Sequence, residues 1–145
     1  MTLTSTQLQT LRLVAGLMVP ASSGYGVPGA DDPAIVADIE ATLGRDAAAV
    51  VTALEALAAR AGGDFGALDP EHRMEVALGY RAEGGPEVLT LSRVVLQCYY
   101  RDERVVRSLG IEPGAPFPRG HVLEQGDWSL LEEVKRRTPG WRTHP

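Results

Sequence analysis

The side chains able to do chemistry in this chain are few and scattered. His72, His121 and His144 are its only imidazoles, and Cys98 is its only thiol. No histidine stands four residues from another, and none has a cysteine at ligand spacing, so the pattern of a zinc-type site is missing and no metal ligand is assigned. A nucleophilic thiol needs an imidazole and a setting that favours thiolate. Cys98 instead lies in the apolar run VVLQCYY and reads as a small buried hydrophobe. Asp31/Asp32 and Glu132/Glu133 are adjacent pairs whose side chains point apart on a helix. Capping and solvated faces account for them better than acid–base work does. His72 falls in the first turn of a helix, His121 in a loop and His144 at the chain end. No catalytic residue is assigned. A small enzyme acting through His121, Asp127 or Cys98 stands as a third hypothesis with no substrate attached.

The glycine-rich stretch ASSGYGVPGA, residues 21–30, invites a phosphate-cradle reading. There is no GxxxxGK[ST], and no strand precedes it, so it reads as a connecting loop pinned by Tyr25. No cofactor site is assigned to this chain.

The elements that would position these residues are helices. Thr4 to Met18 carries Leu8, Leu11, Ala15 and Met18 at helical spacing, with Thr4 or Ser5 as cap. Asp32-Pro33 opens a second helix with Ile35, Val36, Ile39 and Leu43 inward and Gly44 as its stop. Asp46 caps a third, Ala47 to Ala61, with a Val50, Val51, Leu54, Leu57, Ala58 stripe. Phe65 and Leu68 plug the next loop. Asp69-Pro70 starts a fourth, with Met74, Ala77, Leu78 and Tyr80 expected to face inward, and Gly84-Gly85 ends it.

Val88 to Tyr99 is apolar almost all round, as a core helix is. Asp102 caps a short helix, Glu103 to Leu109, with Val105, Val106 and Leu109 inward and Gly110 as stop. Three prolines between Pro113 and Pro118 then impose a stiff, extended path with Phe117 as its apolar anchor. Asp127 caps a last helix, Trp128 to Arg137. With no credible strand, the expectation is an all-α, single-domain bundle of five to six helices. Residues 111–145 form its Pro-rich loop and C-terminal tail, packing on the bundle or on a partner.

The net charge is −5 over 145 residues. The acids concentrate before residue 90, and the half after it is only weakly basic. A nucleic-acid footprint needs a dense basic face, so no nucleic acid is expected. No apolar run approaches the roughly 18 residues that span a membrane. The start shows neither a positive n-region nor a twin arginine, which leads to a cytoplasmic expectation. Five of the eight aromatics fall after residue 95, and Tyr and Trp are favoured interface anchors. A partner-binding surface is expected from Tyr99, Tyr100, Arg101, Arg104, Pro116, Phe117, Pro118, Trp128 and Trp141. The Tyr pair points about 100° apart, so one ring can be core and the other exposed.

The run CYYRDERVVRSLGIEPGAPFPRGH, the later GDWSLLEEVKRRTPGWR and the early PGAD at Pro28 to Asp31 resemble the gluconate 2-dehydrogenase subunit 3 family. The likeness covers about Leu8 to Trp141. It implies a small, non-catalytic helical subunit that binds and stabilises a large FAD-dependent dehydrogenase of the glucose-methanol-choline type. The FAD would then sit in the large flavoprotein, which oxidises a sugar or other alcohol. Several family members begin with a twin-arginine signal, so periplasmic placement would here require export with a partner. The alternative is a free-standing helical binding module or homodimer.

Overall fold

In the computed structural model the described residues are 2–114 and 125–137. Pro116, Phe117, Pro118, His121, Trp141 and His144 lie outside them. The chain divides into two units, Met1–Pro113 and Gly114–Pro145. The described residues are helical and contain no strand, which bears out the all-α class.

The first unit is a bundle of α1 (Ser5–Met18), α2 (Pro33–Thr42), α3 (Ala47–Arg60), α4 (Pro70–Glu83), α5 (Pro86–Tyr99) and α6 (Glu103–Ser108). Short 3-10 turns stand at Gly44–Asp46 and Phe65–Ala67. The helix starts follow from their caps. Thr4 accepts from the Gln7 amide while the Gln7 side chain accepts from the Thr4 amide, a complete capping box. Asp32, Asp69 and Asp102 each accept backbone N–H bonds at the starts of α2, α4 and α6. Asp46 departs from expectation. It makes no cap bond to α3 and instead pairs with Arg93 of α5 at 2.8 Å. Gly44 likewise begins a 3-10 turn instead of closing α2.

The hub of the bundle is α3, which packs against α1, α4 and α5, while α2 packs on α5. Leu11, Ile39, Val50, Leu54, Leu57, Phe65 and Val95 are fully buried around it. Burying each of these side chains contributes roughly 1.5–3 kcal/mol. Phe65 plugs the α3–α4 loop as expected. The loop before α2 folds back on α1: Ala30 N–H donates to Val19 O at 2.8 Å, and Ser22 pairs with Val27. Tyr25 does not pin this loop but stands exposed at its tip.

Two apolar expectations are corrected. Met74 and Leu78 face outward, because α4 turns its Tyr80 side to α3 and has only that residue buried. Leu89, Leu96 and Leu109 are also exposed, since among the described residues no element covers those sides of α5 and α6. The second unit holds a 3-10 turn, Trp128–Leu131, running into α7 (Glu132–Lys135). Asp127 caps this turn through the Ser129 amide at 3.0 Å.

Candidate partner-binding surface

α4 and α5 both pack against α3 and are joined to each other by the Gly84-Gly85 turn. Both glycines have positive φ, 71° and 112°, a backbone region that side-chain-bearing residues rarely adopt. Residues of the two helices line a groove of about 530 Å³. Leu57, Tyr80, Val88 and Leu91 form its buried part. Met74 and Leu78 wall one side, Leu89 and Leu96 the other, and Leu17 and Met18 of α1 adjoin them. Leu78 is 52% exposed and Leu89 69%. These apolar side chains are not scattered singly over the surface but line one contiguous groove. Arg60 stacks on the Tyr80 ring at 4.6 Å and pairs with Glu83, fixing the end of α4.

None of these groove residues figured in the expected binding set. The signal available in the sequence was the polar composition of PEHRMEVALGYRAE, which cannot bury more than one narrow stripe, followed by a glycine pair.

The expected residues divide. Tyr99 and Tyr100 pack edge to face at 5.2 Å, but Tyr99 is core at 5% exposure while Tyr100 is 56% exposed. Of the two rings only that of Tyr100 is open to solvent. Trp128 is 64% exposed within the second unit, and Leu130 and Val134 are exposed too.

Arg101 and Arg104 are engaged inside the chain. Arg101 pairs with Asp38 of α2 at 2.5 Å and donates to Thr42 Oγ1 and Cys98 Sγ. Arg104 binds Asp32 and Asp102 together. Both arginines brace α2 against the α5–α6 corner. Cys98 sits behind this brace with Thr42 Oγ1 at 3.5 Å. Burial pushes its thiol up from the ordinary value, the opposite of what a nucleophile needs.

His72 accompanies the α4 cap. Its Nδ1 lies 2.6 Å from Asp69, which raises the imidazole pKa above its ordinary value. Both residues are exposed, and the pair closes a surface cap. Among the described residues no cluster of three His, Cys, Asp or Glu could hold a metal ion.

Gly24, Gly26 and Gly29 stand in G-x-G-x-x-G register. The structure supplies none of the surroundings that give it meaning. Helix α1 precedes the loop instead of a strand, and an acid, Asp32, already occupies the start of α2. Arg104 holds that carboxyl below its usual range, so it stays charged and would repel a phosphate. Gly29 serves packing instead: a Cβ there would lie 2.9 Å from the Ala21 amide nitrogen.

No family model matches this chain, and neither a curated protein nor a solved structure matches it. Among the described residues no helix is long and apolar enough to cross a membrane.

Proposed function

We propose that this chain is a non-catalytic helical subunit that binds and stabilises a large FAD-dependent sugar or alcohol dehydrogenase subunit. The observation that carries the binding role is the open apolar groove between α4 and α5. A groove left uncovered costs solvation at every exposed apolar side chain, and covering it with a partner recovers that free energy. The flavoprotein identity of the partner is supported by the family resemblance of the Cys98 to His121 and Gly126 to Arg142 stretches. Tyr100 and Trp128 offer further apolar contact, as anchors with a polar tip.

Co-expression with a flavoprotein encoded beside this chain tests the proposal. The large subunit is expected to lose solubility or activity when this chain is omitted. Equal solubility and activity in its absence would remove the stabilising role.

A further inference from the structure

The α4/α5 groove is apolar along its length and carries one charge at one end. Met74, Ala77 and Arg81 recur at helical spacing on one wall, and Leu89, Ser92 and Leu96 on the other. Each row spans two turns of helix, about 10 Å. Among the described residues Arg81 is the only charged one lining the groove, and it lies in the last turn of α4 near Gly84. It takes part in none of the ion pairs formed among the described residues. The acids nearest in sequence do not answer it: Glu83 is held by Arg60, and Glu87 does not line the groove. Arg81 complements the dipole at the end of its own helix, but that role does not use its place at the mouth of an apolar channel.

We infer that the groove seats an amphipathic helix of the partner protein. That helix presents apolar side chains at i, i+3 or i+4, and i+7, and a carboxylate that meets Arg81 at the Gly84 end. The inference rests on the proposed binding role and specifies where, and by what chemistry, the partner docks. The occupant is a helix because both walls are helix faces carrying residues at helical spacing, an arrangement that receives apolar anchors at helical spacing. A small apolar ligand fits less well, since such sites enclose most of their ligand, whereas Leu78 and Leu89 stay at least half exposed on opposite walls. Met18 and Met74 supply the adaptable lining common at helix-binding surfaces. A basic residue in the terminal position would meet Arg81 as a like charge, so the charge also selects the partner and its direction.

The test uses the full chain and two synthetic helical peptides with leucines at i, i+4 and i+7. The peptides are identical except for Glu or Lys at the terminal position, and binding is read by fluorescence anisotropy. The Glu peptide is expected to bind about tenfold more tightly than the Lys peptide. Arg81→Glu should reverse that preference, and Leu89→Glu and Leu78→Glu should each weaken both peptides. Leu78 and Leu89 are exposed, so these variants keep the fold, which circular dichroism checks. Equal affinity for the two peptides, no binding of either, or binding untouched by both leucine variants overturns the inference. A homodimer in sedimentation that Leu89→Glu dissolves also overturns it, by seating a second copy in the groove. Peptide discrimination that holds while no flavoprotein co-purifies would remove the proposed partner class and leave helix docking standing.

Discussion

Arg104 reaches back 72 positions to Asp32, its two terminal nitrogens lying 3.0 and 2.9 Å from the two carboxylate oxygens. The same guanidinium holds Asp102 at 2.8 Å. Asp32 caps α2 and Asp102 caps α6, so one side chain ties together the starts of two helices far apart in sequence. Planar, multi-donor geometry of this kind is available to arginine and not to lysine.

Arg104 therefore couples stability to acid. It lowers the carboxyl pKa values of both Asp32 and Asp102 from the ordinary 3.8. A lowered folded-state pKa stabilises the fold fully above the ordinary value, and that stabilisation is lost as pH falls below 3.8 towards the lowered one. Thermal melts across this range should show a steep acid loss in the wild type and a shallower one in Arg104→Ala, whose melting temperature at neutral pH is already reduced. Arg104→Lys should not restore the wild-type curve. Identical pH profiles for wild type and Arg104→Ala would show that the bridge carries no such coupling.

Phe65 is fully buried beneath the α3–α4 loop. Phe65→Ala should destabilise the chain by about 3–5 kcal/mol in urea titration, from lost burial plus the cavity left behind. Tyr25→Ala, at an exposed loop tip, should stay within about 0.5 kcal/mol of wild type. A comparable loss for both would place the core elsewhere.

Much of this fold was legible in the sequence, and the reason is local. Asp-Pro at 32–33 and 69–70, Asp102 and the Gly84-Gly85 break act through backbone chemistry within a few residues of themselves. What was not legible was sidedness. Met74 and Leu78 look inward on an apolarity count, yet α4 has room against α3 only for the Tyr80 side. α5 is apolar nearly all round, so its sequence alone cannot single out Leu89 and Leu96 as the pair left outside. That choice is made by where α1, α2 and α3 stand. The ion pairs of Arg101 and Arg104 were not legible either, because their acids, Asp38 and Asp32, are supplied by α2 and its cap, far away in sequence. The groove depends on the same non-local packing, and so it escaped the sequence while Tyr100 did not.

Gly29 faces the α1 exit closely enough that an added Cβ would lie 2.9 Å from Ala21 N and 3.2 Å from Val19 O. Gly29→Ala should cost about 1–3 kcal/mol, since backbone must shift to admit the methyl. Gly24→Ala in the same loop meets nothing closer than the Ser22 hydroxyl at 3.9 Å and should be nearly neutral. Paired chemical denaturation curves separate the two, and equal stability would contradict the close approach.

Cys98 is buried behind the Arg101–Asp38 brace, and burial keeps its thiol protonated. Reaction with a thiol reagent at neutral pH should be slow in native protein and accelerate in step with urea unfolding. Arg101→Ala, which opens the brace, should raise the native rate. Rapid native modification would show an accessible thiolate and revive a chemical role for this residue.

The central claim is tested most directly by recovering a tagged copy of this chain from the cells that make it and measuring the mass and flavin absorbance of what it carries. A complex with a large flavin-bearing chain in fixed stoichiometry, lost in Leu78→Glu and Leu89→Glu, is the predicted result. A chain that emerges alone or as a homodimer, with no flavin, would contradict the account.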